Sequence, residues 1–377
     1  MRYLLFAAAL FALINTPSLA GPKEKSHRTL REWGFPIGIF EPGRNNAITD
    51  VSGVSVGHVT CIEGDDIRTG VTAIVPHQGN IFRNKVPAAV YVGNGFGKLA
   101  GVTQIRELGN IETPIILTNT LSIAAGLDGL ITYTLSQEGN EGVRSVNGVV
   151  GETNDGRLNN IQARFIKPEH VLEAIASASS GPVAQGNVGA GTGTVCFGWK
   201  GGIGTSSRVL PESLGGWTVG VLVQSNYGGI LEIDGVPVGR QLGQYEFKKN
   251  VESGSADGSC MMVIITDAPV DARNLERIAK RAVMGLAKTG GIASNGSGDY
   301  VIALSVAPGN LVRSGEDLQR VTLLSNDRMS PLFEATIEAT AEALWNSLFM
   351  AETLSGNGSV VEALPVPEVL KMLRKRR

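Results

Sequence analysis

The sequence predicts a layered α/β or α+β sandwich rather than a Rossmann sheet or a barrel. Three observations carry that expectation. Strand-like and helix-like segments alternate along the 377 residues, with no internal repeats and without the regular strand–helix–strand spacing of a parallel sheet. Hydrophobic residues make up 42% of the chain, enough for a sizeable core, whereas charged residues are only 18%, against ~25% in an average domain. Glycine takes 49 positions, well above the usual ~7% share. This composition excludes a disordered chain and a long coiled coil. A net charge of −2 and 6% aromatic residues offer neither the basic surface nor the stacking platforms that nucleic acid requires.

Residues 1–20 read as a targeting segment outside the fold. Arg2 is a short positive region, Leu4 to Ile14 an apolar run, and Ser18-Leu19-Ala20 a small-residue cleavage site. The run is too short to cross a membrane, and no cysteine follows Ala20 to carry a lipid. The expectation is an exported protein, periplasmic or secreted, that begins near Gly21 and has no membrane anchor.

Beyond it, β-branched residues alternate with small or polar ones from Val51 to Thr60 and from Thr69 to Val75, predicting two strands. Ala88 to Val92 and Pro114 to Thr118 predict short buried strands, and Leu121 to Gln137 is weakly helical. Pro168 to Ala178 is a clearer helix, with Val171, Leu172, Ile175 and Ala176 on one face and Pro168 in the first turn, where a missing N–H is tolerated. A glycine-rich stretch from Gly186 to Gly204 precedes a strand from Trp217 to Gln224. Residues 240–258 turn polar and small, and are the best linker candidate.

Met261 to Thr266 is then a continuous apolar strand. Leu275, Ile278, Ala279, Ala282 and Leu286 recur at helical spacing, with Asp271 as N-cap and Gly290 as stop. Tyr300 to Val306 predicts a further strand. Ser330-Pro331 opens a long helix with Phe333, Ile337, Ala341, Leu344 and Leu348 on its apolar face. Glu334, Glu338 and Glu342 form a stripe expected to face solvent. Arg374 to Arg377 are expected near a helix C-terminus, where positive charge is favourable.

Most catalytic motifs fail on context. Gly53-Val54-Ser55-Val56-Gly57 has the spacing of a nucleophile elbow, but Val54, Val56 and His58 alternate as in a strand. Gly93-Asn94-Gly95-Phe96-Gly97-Lys98 lacks the spacing and the Ser/Thr of a phosphate loop. Gly189-Ala190-Gly191-Thr192-Gly193 lacks the last glycine of the dinucleotide fingerprint, so both read as turns and close backbone approaches. His27, His58, His77 and His170 show no metal-ligand spacing with one another or with cysteine, so no metal or other cofactor is predicted. A Ser-His-Asp mechanism is equally unsupported. Cys61, Cys196 and Cys260 are too few and too scattered for a disulfide framework and read as buried small hydrophobes.

The join Asp257-Gly258-Ser259-Cys260 is different. A glycine followed by serine, on a flexible segment just before a buried strand, is the layout required for self-cleavage to a new N-terminal serine. A free α-amine, with a pKa of about 7.7–8.0, suits a general base at neutral pH. It sits on the residue whose hydroxyl it activates, so no histidine is needed. On its own, Gly-Ser is a common dipeptide, and an ordinary turn is the better reading of it.

With the following strand and Thr266-Asp267-Ala268-Pro269, the Gly258-Ser259-Cys260 sequence resembles the maturation site of the DmpA-type aminopeptidases. These are the S58 peptidases, L-aminopeptidase/D-amidase-esterases and β-aminopeptidases. Further likenesses follow in the family's order: Arg44-Asn45-Asn46-Ala47-Ile48-Thr49-Asp50-Val51 with Val56-Gly57-His58, Gly151-Glu152-Thr153-Asn154-Asp155-Gly156, Val223-Gln224-Ser225-Asn226-Tyr227-Gly228, and Asn295-Gly296-Ser297-Gly298-Asp299. They span about residues 30 to 350. The resemblance implies a four-layer αββα sandwich forming a single domain. It also implies cleavage between Gly258 and Ser259 into an α chain, residues 21–258, and a β chain, residues 259–377, which stay together within a homo-oligomer.

By the same resemblance, Ser259 is the nucleophile and its own amine the base. Ser297 and Asp299 support it by hydrogen bonding and electrostatics. Asn226 serves the oxyanion hole, where one donor can be worth ~3 kcal/mol. Asp299 stands where some members carry glutamate, and Asn154 where some carry tyrosine. Without the resemblance, Asn226 also fits a strand-ending turn, and Ser297 and Asp299 an ordinary glycine-rich loop. The implied activity is release of N-terminal residues (β-amino, L- or D-) from short peptides, amides or esters. A substrate ammonium would seek a carboxylate, with Asp299 and Glu152 as candidates. Two rival readings are an amide acyltransferase of the ornithine-acetyltransferase kind, which normally begins its β chain with threonine, and an exported solute-binding protein without enzymatic activity.

Overall fold

A computed structural model describes residues 27–248 and 257–376. The targeting segment, residues 1–20, and residues 249–256 of the linker candidate lie outside the described residues. In chain order the first strands are β1 (Ser55–Glu63), β2 (Ile67–Val75), β3 (Asn84–Gly95), β4 (Leu99–Ala100), β5 (Asn110–Ile111), β6 (Ile115–Asn119) and β7 (Val149–Thr153). A small hairpin, β8 (Val195–Cys196) and β9 (Trp199–Lys200), follows. Then come β10 (Gly202–Val209), β11 (Thr218–Asn226), β12 (Asp257–Thr266), β13 (Gly296–Ser305) and β14 (Val312–Arg313). The helices are α1 (Val102–Leu108), α2 (Ile123–Leu135), α3 (Pro168–Ala176), α4 (Val238–Leu242), α5 (Ala272–Lys288), α6 (Ser330–Phe349) and α7 (Val366–Arg376).

One sheet runs β1-β2-β6-β7-β4, and the other β10-β11-β12-β13-β3-β14 with β5 beside β3. Helices α2 and α3 pack on the outside of the first, α5 and α6 on the outside of the second, so the order of layers is αββα. The apolar run of β12 shows why. Met261, Val263 and Ile265 enter the core between the sheets, while Cys260, Met262 and Ile264 enter the core beneath α5 and α6. A strand covered on both faces needs hydrophobic residues at every position.

Most predicted elements are present with shifted ends. Asp271 caps α5 by accepting from the Asn274 N–H at 2.9 Å, and Gly290 takes a positive φ of 91° just beyond its last turn. The expected strand from Val51 begins only at Ser55. Val51 and Val54 are buried, but they flank a turn at Gly53, whose φ is 88°, so burial rather than pairing explains their apolar character. The linker candidate is narrower than its composition suggests: its first residues finish α4, and Asp257 and Gly258 already pair with β13.

Two of the three glutamates in the acidic stripe of α6 are buried, contrary to the expectation of a solvated face, while Glu334 is half-buried. Glu338 and Glu342 are 2% and 0% exposed. Arg208, on β10 and itself fully buried, donates from Nε to Glu338 at 2.9 Å and from Nη2 to Glu342 at 2.7 Å. Arg31 also reaches Glu342 at 3.2 Å, and Glu338 accepts the backbone N–H groups of Ile39 and Phe40. Helical periodicity places the glutamates on one side of α6 but says nothing of what covers it. Here the cover is β10 and the segment leading into the first sheet. Phe333 and Ile337, expected in the apolar face, are only half-buried.

Removing one partner of such a buried pair strands the other. Arg208→Met should lower the unfolding free energy in a denaturant titration by about 3–5 kcal/mol. Replacing Arg208, Glu338 and Glu342 together with apolar residues should recover most of that loss. A small effect of Arg208→Met alone would show that water reaches the cluster.

Candidate active site

Three adjacent strands of the larger sheet bring the predicted residues together. β12 pairs antiparallel with β11, setting Asn226 opposite Ser259, and parallel with β13, setting Gly258 level with Ser297 and Ser259 level with Gly298. Ser259 has the parity of Met261 and Val263, so its side chain faces the inter-sheet side, where it lines a cavity of about 1030 Å³ together with Asn226. Ser259 Oγ donates to the carbonyl oxygen of Gly258 at 2.6 Å and accepts a long bond, 3.4 Å, from the Gly298 N–H. The oxygen thus lies against the peptide group that precedes it.

Asn226 ends β11, and its orientation is fixed. Its Oδ1 accepts from the Val195 N–H at 2.9 Å, which leaves the Nδ2 hydrogens as its free donors in the cavity wall. Two residues earlier, Gln224 ties the sheets together by donating to Thr118 O, Thr153 Oγ1 and Ala190 O at 2.9–3.1 Å. A Cβ on Gly151 would overlap Met261, so glycine there allows β7 to approach β12.

Ser297 and Asp299 are brought together, but not onto the Ser259 hydroxyl. Ser297 Oγ donates to Asp299 Oδ1 at 2.9 Å. Both share parity with Val301 and Ala303 in the core beneath the helices, so they flank the Gly258–Ser259 peptide from the face opposite the Ser259 side chain. Asp299 Oδ2 is buried without a hydrogen-bond partner. Burial pushes the Asp299 carboxyl from an ordinary value of 3.8 up to about 6, against the lowering effect of Ser297. Cys260 lies on this face too, and burial pushes its thiol well above the usual range, so it is a poor nucleophile. Cys61 and Cys196 are buried free thiols as well.

Several cavity residues were not legible as functional. Lys98, at the end of the Gly93–Lys98 run, donates its backbone N–H to Glu152 at 2.9 Å, and its ammonium lies 3.5 Å from the same carboxylate and 2.6 Å from Thr120 Oγ1. Gly97 permits this approach, since a Cβ there would stand 3.0 Å from Glu152 Oε1. Glu152 is therefore a buried, held carboxylate facing the cavity. Asn154 lines the cavity but turns its Oδ1 to the Gly156 N–H. Tyr245 also lines the cavity, whereas the Tyr227 hydroxyl is buried against Thr289. The Gly189–Gly193 run is the turn whose Ala190 carbonyl receives Gln224.

The profile of a family described as "Peptidase family S58" matches residues 46–361. Over 398 aligned residues the chain is 40% identical to the beta-peptidyl aminopeptidase BapA of Sphingosinicella microcystinivorans, covering 100% of this chain and 98% of that one. Among solved structures, the PH0078 protein of Pyrococcus horikoshii OT3 is 47% identical with a TM-score of 0.85, covering 93% of this chain and 99% of that one. The L-aminopeptidase D-Ala-esterase/amidase of Ochrobactrum anthropi, described as a prototype for the serine aminopeptidases and a variant of the Ntn hydrolase fold, is 32% identical. Its TM-score is 0.85, covering 92% of this chain and 98% of that one.

The buried Asp299 gives a pH signature with a definite sign. Its folded-state pKa lies above the unfolded value, so the folded state binds the proton more tightly. The stability this provides is present below about pH 4 and lost as pH rises through about 6. In the uncleaved chain, kept intact by Ser259→Ala, Asp299→Asn should therefore match its parent at low pH and exceed it by about 2–3 kcal/mol above that range. Denaturant unfolding across pH measures the difference. A constant offset would mean that Asp299 does not titrate in this window.

Proposed function

The chain belongs to peptidase family S58, and from that premise we propose that it is a self-processing aminopeptidase whose nucleophile is Ser259, freed as a new N-terminus by cleavage of the Gly258–Ser259 bond. The observation that carries this reading is the place of Ser259 Oγ, inside the cavity and against the Gly258 carbonyl. In self-cleavage Oγ adds to the Gly258 carbonyl carbon, and the bond from that carbon to the Ser259 nitrogen breaks. The nitrogen takes the proton, and water hydrolyses the resulting ester. The products are a Gly258 carboxylate and a Ser259 that carries both a free amine and its hydroxyl.

With a substrate bound, the Ser259 amine takes the proton from its own Oγ as that oxygen attacks the substrate carbonyl, and returns it to the leaving amine. Water then releases the acyl-enzyme. Asn226 Nδ2 donates to the oxyanion, a task for which the Val195 bond has already oriented it. Ser297, level with Gly258, and Asp299, level with Cys260, are suited to hold the new amine, and the vacant Asp299 Oδ2 would gain a donor. Glu152 takes the substrate's own ammonium, which favours a free N-terminus over an acylated one. Its buried carboxylate, braced by Lys98, suits that role better than Asp299, which lies on the far face.

For substrate, the 40% identity to a beta-peptidyl aminopeptidase favours β-amino residues at the N-terminus. L-residues, and D-residues presented as amides or esters, form the second arm, motivated by the 32% identical Ochrobactrum enzyme. Hydrolysis is preferred over acyl transfer because the Sphingosinicella and Ochrobactrum relatives are described as aminopeptidases and the proposed nucleophile is serine. The apolar segment near the N-terminus supports an exported, periplasmic protein.

Denaturing electrophoresis with N-terminal sequencing should find fragments spanning residues 21–258 and 259–377 in active protein. Ser259→Ala should remain one chain and be inactive, while Cys260→Ser should still be processed. Asn226→Ala should lower kcat by about 10²–10³-fold, the usual loss for one oxyanion donor. An intact chain that retains activity would overturn the mechanism. Among p-nitroanilides of β-homoalanine, L-Ala and D-Ala, the β-homo compound should turn over fastest, and preference for N-acetylated forms would reverse the assignment of Glu152.

A further inference from the structure

Glu152 is not the only carboxylate lining the cavity. Glu246, in the segment after α4, lines it as well, and the two differ in their surroundings. Glu152 is satisfied by Lys98. Both carboxylate oxygens of Glu246 are buried from solvent, and neither has a hydrogen-bond partner among the described residues. Lys98 and Arg157, the basic residues lining the cavity, make no ion pair with it among the described residues. Burial raises the carboxyl's pKa above its ordinary value, the cost of a buried acid without a counter-charge.

Glu246 is nevertheless held in place. Its backbone N–H donates to Gly229 O at 2.9 Å, and its Oε2 lies over Gly228 so closely that a Cβ there would overlap it. Gly258 packs against the same strip: a Cβ on it would stand 3.0 Å from Tyr227 Cα and 3.4 Å from Gly228 N. Gly258 is the acyl residue of self-cleavage. A substrate's acyl residue bonds to the same Ser259 oxygen and so passes along the same wall.

We propose that Glu246 is a specificity-determining residue, a second cation-accepting subsite that selects substrates whose N-terminal residue carries a basic side chain, an ammonium or guanidinium of lysine or arginine type. The substrate's own ammonium and its side-chain cation are then read by two carboxylates, Glu152 and Glu246. This inference rests on the aminopeptidase reading above and names the substrate class of that same site.

The test compares kcat/KM for matched p-nitroanilides of lysine and norleucine, in both the α and the β-homo series. The pairs differ only in the terminal ammonium. The processed protein should prefer the lysyl member at least tenfold, and Glu246→Gln should bring the ratio close to one, with electrophoresis confirming that the variant is still cleaved. Glu246→Asp, which keeps the charge, should retain a preference. A ratio near one in the parent protein, or one unchanged in Glu246→Gln, overturns the inference, and turnover of the norleucyl compounds in that case leaves the aminopeptidase reading standing. Failure to hydrolyse any member overturns that reading and this inference with it.

Discussion

The structure depends on the setting of one strand. β12 is paired on both edges and covered on both faces, antiparallel to β11 on one side and parallel to β13 on the other. Two edges of pairing fix its register, because a slip by one residue would exchange Met261, Val263 and Ile265 with Cys260, Met262 and Ile264 across the sheet. The same register carries Ser259 to Asn226 on one side and to Gly298 on the other. Core packing and the geometry of the reactive residues are therefore a single constraint. A serine on a loop would need separate support, whereas the apolar core holds Ser259 in place, as the proposed nucleophile requires.

The polar groups buried around this strand are paired with few exceptions. Gln224 bridges the two sheets, and Arg208 binds the glutamates of α6. Lys200, wholly buried, donates to the carbonyls of Gly191 and Gly201, and burial lowers its pKa to about 7. Among the described residues the unpaired buried atoms include scattered ones such as His58 Nε2, Trp217 Nε1 and Gln224 Oε1, but also carboxylate oxygens of Asp299, two residues along β13 from Ser297, and of Glu246, which lines the same cavity as Ser259. Unpaired polarity near a reactive centre is what a site waiting for a ligand or a new charge would carry.

The sequence made some of this legible and hid the rest for physical reasons. Hydrophobic periodicity located β12, α5 and α6, since burial on one or two faces leaves a pattern in the local chain. Family likeness located Ser259, Asn226, Ser297 and Asp299, which periodicity alone leaves as turn and loop residues. What failed depended on distant partners. The burial of Glu338 and Glu342 requires Arg208, far away in the chain, and no local pattern announces it. Lys98 ends a glycine-rich run that lacks the spacing of a phosphate loop and reads as a turn or close backbone approach; glycine there does serve close approach, but no local pattern names Glu152 as the partner. Glu246 lay in a polar stretch read as linker, where a carboxylate is unremarkable until its surroundings are known.

The strand order of the larger sheet has a thermodynamic consequence. β10, β11 and β3 precede the Gly258–Ser259 bond, which lies near the start of β12, while the rest of β12, β13 and β14 follow it, and the two sets interleave as β10-β11-β12-β13-β3-β14. If that bond is cut, the first fragment keeps the whole five-stranded sheet but only β10, β11 and β3 with its neighbour β5 from the larger one, and separating the fragments breaks the β11-β12, β13-β3 and β3-β14 pairings. The native state would then be reached by a unimolecular route only once, before cleavage. Afterwards reassembly is a bimolecular encounter between two fragments that share the larger sheet, its equilibrium set by protein concentration. Such a molecule would owe its lifetime to the height of its unfolding barrier more than to any equilibrium with its unfolded parts.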